Sequence, residues 1–418
     1  MKYLYENNIK LFLLLFLISG AGIAQTTNSG KLYVSEGTQI SVVKDFQNEG
    51  SGEFYNDGEA FIYSNFSNDG IINFYGNTGL TRFIGQNIQE LSGSKESYLY
   101  DVEFYNSSDE VPFHLYSTLT IEGESNFFQG IVDNDNYGGS IFYGENASHV
   151  NTSNESHVDG KVGHFGKEDF IFPIGDGGYY RYAGTADLIN DASIVEAKYF
   201  LENSDVLYSH ELRPDFVQLI NNKEYWTIEH IGGAEEAFIT LSWSEETTPA
   251  AILQEPREES IHIVRWDESE NRWVDEGGIV DNTNQTVSTL VEKYGIFTMA
   301  RMDDSGILPC EISVYNAVSP NGDGVNDYFK INTGSSNSCT ENLQVEVYNR
   351  WGVKVFETNN YGEEGDLFDG FSRGRLNVNG DEQLPSGTYF YILKFDYEVG
   401  GDQLETFKKA GYLYLNGN

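Results

Sequence analysis

The sequence predicts an all-β protein made of successive strand-built units. Aromatic residues supply 14% of the chain, with 28 Tyr and 27 Phe. That is enough large apolar surface to build cores, and it argues against disorder despite a formal net charge of −40. Glycine occurs 44 times and, with Asn and Asp, punctuates the chain at short intervals. Between these turns lie brief alternating runs of apolar and polar residues, while helical periodicity is scarce.

Lys2 and Lys10 flank a short polar opening, Leu11–Ile18 is an unbroken apolar run, and Gly20–Ala24 is rich in small residues. This order predicts a secretory signal peptide over residues 1–24, cut between Ala24 and Gln25. The apolar run is too short to span a bilayer. No Cys follows it to carry a lipid, and no second long apolar run exists. The mature chain is therefore expected to have no transmembrane segment.

Residues 25–165 carry a repeat. Phe46 precedes Asn48-Glu49-Gly50, Phe54 precedes Asn56-Asp57-Gly58, Phe66 precedes Asn68-Asp69-Gly70, and Phe74 precedes a looser Asn77-Thr78-Gly79. The Phe steps are 8, 12 and 8, a double unit of 20 residues. The Asn and Gly positions are expected to supply turns with positive φ. Strands are expected at Glu59–Phe66, Ile71–Tyr75 and Leu80–Ile84, and further on around Phe113, Leu119–Ile121, Phe127-Phe128 and Ile131-Val132. Units too small to bury their own face point to stacked coils of a β-solenoid; the competing arrangement is a meander of hairpins. His149, His157 and His164 form the most site-like group. They lack compact metal-ligand spacing. The paired Ser148-His149-Val150 and Ser156-His157-Val158 suggest stacked coils with shared turn chemistry instead.

Residues 166–305 read as a β-sandwich. Short strands recur around Phe170–Ile174, Tyr179–Tyr182, Tyr225–Ile228, Ala237–Trp243, Ile261–Trp266, Arg272–Val274 and Gly295–Arg301. Trp226, Trp243, Trp266 and Trp273 are core candidates, and alternatively a platform for sugar rings.

Residues 310–418 form a last β module. Pro320-Asn321-Gly322-Asp323-Gly324 is a turn cluster. Val345 and Val347 against Val353 and Val355 read as a hairpin about Asn349–Gly352. Pro385-Ser386-Gly387 feeds an aromatic strand, and Lys408–Asn416 (K-K-A-G-Y-L-Y-L-N) is the final strand. Cys310 and Cys339 are the only cysteines, and in an oxidising extracytoplasmic setting they suggest one disulfide.

The segments Y-N-A-V-S-P-N-G-D-G-V-N-D-Y-F from Tyr315, V-E-V-Y-N-R-W-G, L-P-S-G-T-Y-F-Y-I-L and K-K-A-G-Y-L-Y-L-N occur in order. In this the stretch resembles the type B sorting domain of Bacteroidetes type IX secretion, also called the gliding-motility-associated C-terminal domain. The resemblance implies an immunoglobulin-like β-sandwich, recognition by the outer-membrane export machinery, and a secreted or surface-held protein. S-H-V-D-G-K-V, F-I-F-P-I-G and Y-G-I-F-T-M-A-R are similar to passengers of such domains, with no activity attached.

Asn321, Asp323 and Asp327, with the carbonyl of Val325, match the first half of an EF-hand loop and form a candidate Ca²⁺ site. Asn332 stands where the bidentate Glu would be, so the affinity expected is modest. The same residues also read as an Asx-rich turn contacted by the export apparatus. G-x-S-x-G, P-loop, dinucleotide and H-E-x-x-H signatures are absent. No acidic pair is singled out for glycoside hydrolysis. The strong negative charge disfavours nucleic acid as a partner. The expectation is a non-enzymatic surface protein, an adhesin or structural element with a glycan or protein ligand; the alternative is a polysaccharide-binding or polysaccharide-degrading protein.

Overall fold

The computed structural model describes residues 25–417 apart from 187, 189, 232–235, 258–259, 304–309, 311, 333–339, 350–352, 363–365, 374–382 and 400–402. The expected signal peptide and its Ala24 lie outside the described residues, as does Cys339. Gln25 is exposed beside the first strand, its amide donating to Gln47 Oε1 at 2.6 Å.

The N-terminal part is a parallel β-solenoid of about seven turns. Its first face stacks Thr26–Asn28, Phe46–Asn48, Phe66–Asn68, Gln89–Ser92, Phe113–Leu115, Val132–Asp133, Val158–Asp159 and Ile174–Asp176. The second stacks Lys31–Val34, Glu53–Asn56, Ile71–Asn73, Ser97–Leu99, Thr118–Ile121, Ser140–Tyr143 and Val162–Phe165. The third runs from Gln39–Val42 through Glu59–Ile62, Leu80–Gly85, Asp101–Asn106 and Glu124–Gln129 to Ser148–Val150. Thr26, Phe46 and Phe66 are in register, so the double unit of the sequence is one coil. Phe46 and Phe66 belong to the first face and Phe54 to the second, which explains the unequal Phe steps.

Inside the coils an aromatic column holds the stack together. Ring centroids are 5.6 Å apart for Phe46–Phe66, 5.4 Å for Phe66–Phe83, 5.9 Å for Phe83–Phe104 and 5.3 Å for Phe104–Phe127. All are buried, and each contributes roughly 1.5–3 kcal/mol of burial. At one corner buried asparagines form a ladder. Asn28 Nδ2 donates to Asn48 Oδ1 at 2.8 Å, and Asn48 Nδ2 to Asn68 Oδ1 at 2.9 Å.

Three local expectations are corrected. The glycines of the repeat do not adopt positive φ. Gly58 and Gly70 are needed for space, since a Cβ at Gly70 would stand 2.2 Å from the Gly52 carbonyl oxygen and one at Gly58 2.4 Å from that of Thr38. Glu59–Phe66 is not one strand, because the chain turns the corner at 63–65 from the third face to the first. The amide of Gln89 holds that corner through the carbonyls of Ile62 and Ser64. The two Ser-His-Val copies do not stack: Ser148–Val150 pairs with Glu124–Asn126 on the third face, and Val158–Asp159 with Val132–Asp133 on the first.

The middle region grows out of the second face. Val162–Phe165 pairs antiparallel with Ile194–Phe200, and the same sheet continues through Tyr225–His230, Gly295–Met302, Ile261–Asp267 and Arg272–Gly277. A second antiparallel sheet of Phe170–Phe172, Ala183–Ala186, Ala237–Ser242, Thr286–Val291 and Ile279–Asp281 is packed with it. One apolar cluster extends from Val34 in the first coil to Met299 in this region, so the middle region shares the solenoid's core.

The C-terminal region has its own core, including Val318, Phe329, Val345, Val347, Tyr391, Leu393, Phe407 and Leu413. Its sheet is ordered Ala317–Val318, Gln403–Leu415, Gly387–Val399, Glu341–Tyr348, Lys354–Thr358. A ribbon of Ser313–Tyr315 with Lys330–Asn332 packs alongside. The expected hairpin is present, with Val345 opposite Thr358 and Val347 opposite Phe356. Gly387–Val399 and Gln403–Leu415 pair residue for residue, and Tyr391 packs over Gly411, where a Cβ would meet its hydroxyl at 2.6 Å.

Candidate functional site

The turn after Pro320 brings the expected residues together. Gly322 and Gly324 take φ of 76° and 81°, as a tight loop needs. Asp327 Oδ1 and Oδ2 accept the amides of Gly322 and Gly324 at 2.7 and 2.8 Å. Asp323 Oδ1 accepts from Val325 N at 2.7 Å, and Asn321 Oδ1 from Asp323 N at 3.0 Å. Asn321 Nδ2 donates to Asp323 Oδ2 at 2.9 Å. In this geometry the oxygens face the turn's own amides, the arrangement of nested Asx turns. A cation would have to share them.

The three histidines part company. His149 Nε2 lies 2.7 Å from the Ile171 carbonyl, and His157 Nδ1 lies 2.9 Å from that of Ser153. His164 stacks on Phe170 at 4.2 Å. Burial pushes His157 and His164 down to about 4, so both are neutral at ordinary pH. Among the described residues no group of three His, Cys, Asp or Glu could hold a metal ion. The four tryptophans are buried. Trp226 Nε1 donates to the Arg181 carbonyl at 3.1 Å, and Trp266 packs edge-on against Trp273 at 5.7 Å. None offers a face to a sugar. Cys310 is partly buried against the C-terminal core.

Aromatic faces are instead offered by tyrosines on the second face of the solenoid. Tyr33 pairs with Tyr55 and Tyr55 with Asn73; farther along, Tyr98 pairs with Thr120 and Thr120 with Phe142. Tyr75 stacks on Tyr55 with centroids 4.3 Å apart and planes 7° from parallel, and Tyr33 meets Tyr75 edge-on at 5.7 Å. Lys31 Nζ lies 4.7 Å from the Tyr55 centroid and donates to Tyr75 Oη at 2.7 Å. Tyr33 Oη donates to Asp57 Oδ2 at 2.9 Å. Burial alone would raise the Asp57 carboxyl, but the amides of Gly76 and Tyr75 and the Tyr33 hydroxyl hold it below the usual range. The result is an aromatic cluster in which Tyr33 and Tyr75 are exposed and Tyr55 is half-buried, with a cation at one side and the buried Asp57 carboxylate anchoring the other. Sequence inspection missed it because Tyr33, Tyr55 and Tyr75 meet only once the coil register is known.

On the first face, Asp133 pairs with Asp159 and Asp159 with Gly175. Burial pushes the Asp159 carboxyl up to about 7, reinforced by Asp176, Asp133 and Asp135 and opposed by Lys198. Asp133 is held by Asn136, whose backbone amide and side chain donate at 3.0 and 2.9 Å. This rung holds a proton near neutrality.

The chain is an all-β protein in which a solenoid and a sandwich share one core and a strand-built terminal module has a core of its own. Residues 312–415 match the family model of the CHU_C type IX secretion signal domain. The chain thus carries a type IX sorting signal, which directs it to secretion at the cell surface and to contact with the export machinery. None of the curated proteins matches the chain. Among the described residues no helix is long and apolar enough to cross a membrane.

Proposed function

We propose that the passenger is a non-enzymatic adhesin or surface structural protein, and that the tyrosine face of its solenoid makes the contact. The observation that supports this is the cluster of exposed Tyr33 and Tyr75 on half-buried Tyr55, with Lys31 beside it and the buried Asp57 holding Tyr33. Rigid aromatic faces with fixed polar groups at their rim bind at low entropic cost. The test compares the full chain with Tyr33→Ala/Tyr55→Ala/Tyr75→Ala for retention on cells and on immobilised glycans. Equal retention by both refutes the assignment.

The same cluster favours polysaccharide as a second reading, since aromatic faces pack on pyranose rings. Retention on glycans without saccharide release supports binding alone; release of saccharide would make the passenger a degrading enzyme.

Three further assignments stand as proposals. Signal peptide removal falls between Ala24 and Gln25, and Cys310 pairs with Cys339. Asn321, Asp323, Asp327 and the Val325 carbonyl take Ca²⁺ weakly, which a calcium-dependent rise in melting midpoint would support and an unchanged midpoint would refute.

A further inference from the structure

One sheet face of the terminal module is covered by the chain's own passenger. Successive residues of a strand point to opposite faces. Tyr391, Leu393, Phe395, Phe407 and Leu413 turn into the module's core. Ile392, Lys394, Lys408, Ala410 and Tyr412 turn the other way. The middle of that second face is nevertheless dry: Ile392 and Ala410 are buried and Lys408 is only 6% exposed, whereas Leu404 and Thr406 at the start of the last strand are exposed. Phe238, Ile279 and Leu290 of the middle region cover it, together with Tyr348 of the module. Phe238 meets Tyr348 edge-on at 5.2 Å, and Tyr412 Oη donates to the Val280 carbonyl at 3.1 Å. Lys408 Nζ lies 3.1 Å from Glu276 Oε2 and also donates to the Leu290 carbonyl; Lys394 pairs with Glu292. A lysine this deeply buried requires such partners.

Among the described residues, most of the module's exposed large apolar side chains lie around the turn that follows Pro320, while Val353 and Leu404 are exposed away from it. Val325 is 64% exposed, and Tyr315, Tyr328 and Tyr414 are about as open to solvent. The strand carrying Tyr414 runs beside Ala317, and the Lys330 ammonium sits 5.2 Å from the Tyr315 centroid. Tyr414 is the next outward residue after Tyr412 and lies beyond the covered area.

We infer that the export machinery contacts the module at this turn-bearing end, through Tyr315, Val325, Tyr328 and Tyr414, while the Lys408 face seats the module on its passenger. The occupant is a protein surface of the export apparatus. A sorting signal has to be touched by that apparatus; one sheet face is taken by the module's core, the passenger covers the middle of the other, and four of the module's exposed large apolar side chains gather at the turn-bearing end. The inference rests on the sorting-domain match and is independent of what the passenger binds.

The full chain is expressed in a bacterium with a working type IX system, and its export and melting midpoint are measured. Tyr315→Ser/Tyr328→Ser is expected to lose export with an unchanged midpoint. Lys408→Glu, which sets two carboxylates together in the seat, is expected to lower the midpoint. Glu276→Gln/Lys408→Met, which removes both charges of the seat and leaves Arg265 its Asp267 partner, is expected to raise the midpoint above that of Lys408→Glu and to be exported as wild type. Wild-type export of the tyrosine variant overturns the inference, and so does a folded charge-neutralised chain that is retained. A photo-crosslinking residue replaces Val325 or Ile392 in case the neutralised chain does not fold. Position 325 is expected to join an outer-membrane export protein and position 392 the chain's own middle region; no adduct at 325, or an export-protein adduct at 392, overturns it.

Discussion

Asn48 Nδ2 donates to Asn68 Oδ1 of the next coil at 2.9 Å and to the Ile71 carbonyl at 3.0 Å, while Asn48 Oδ1 accepts from Asn28. One side chain thus ties three successive coils at a buried corner. Asn48→Ala leaves the Asn28 amide and the Ile71 carbonyl without these partners, away from water. The expected cost is about 1–3 kcal/mol, read as a lower urea midpoint. An unchanged midpoint would mean that the corner is held by its backbone alone.

Gly70 and Gly50 look equivalent in the repeat but are not. Glu53 and Ile71 are in register, so the counterpart of Gly70 is Gly52, and the first copy carries a two-residue insertion. A Cβ at Gly52 would meet Asn48 Oδ1 at 2.2 Å, whereas one at Gly50 would find nothing closer than 3.7 Å. Gly70→Ala and Gly52→Ala are therefore expected to cost about 1–3 kcal/mol through forced backbone shifts. Gly50→Ala should stay within about 0.5 kcal/mol of wild type. Chemical denaturation of the three variants checks this, and equal effects at positions 50 and 52 would refute the register argument.

What could be read from the sequence was whatever repeats along it. Phe46 and Phe66 recur at the coil length and so disclose the coil, and the S-P-N-G-D-G turn and the final strand disclose the module. What could not be read depends on residues that meet from unrelated positions. Lys408 sits in a motif that looks like a solvated basic strand, and its burial follows from Glu276 and Leu290 more than a hundred residues away. Trp226 and Trp273 are chemically fit for a sugar platform, and only the layer packed over each makes them core. The Ser-His-Val copies resemble each other in sequence, but the coil between them turns a corner, and a local motif carries no record of which face it reaches.

Asp159 gives the passenger a pH response with a definite sign. Its carboxyl is raised in the folded state from 3.8 to about 7. Its contribution to stability is therefore full below pH 4 and is lost as pH rises through about 7. Asp159→Asn has no such loss, so its advantage over wild type should grow from about pH 4 to pH 7 and then level off. His157 and His164 act oppositely: with folded values lowered from 6.5 to about 4, they withdraw stability as pH falls through that range. The difference between wild type and Asp159→Asn cancels the histidine contribution common to both. Parallel midpoint-versus-pH curves for the two proteins would remove the proposed shift at Asp159.

The proposed Cys310–Cys339 bridge makes a prediction confined to the terminal module. Cys310 packs beside the module's core, next to a segment that lies between the passenger and the first module strand. A bond from there to residue 339 would close a loop of about 30 residues, for which the chain-entropy model gives roughly 3–4 kcal/mol. Because the passenger core and the module core are separate clusters, reduction should weaken the module more than the solenoid. Peptide mapping under non-reducing conditions should recover residues 310 and 339 in one linked fragment. Hydrogen exchange after reduction should then rise in Gly387–Val399 and Gln403–Leu415 while the Phe66–Phe104 column stays protected. Two free thiols in the exported protein, or equal loosening of both cores, would refute the bridge or its local effect.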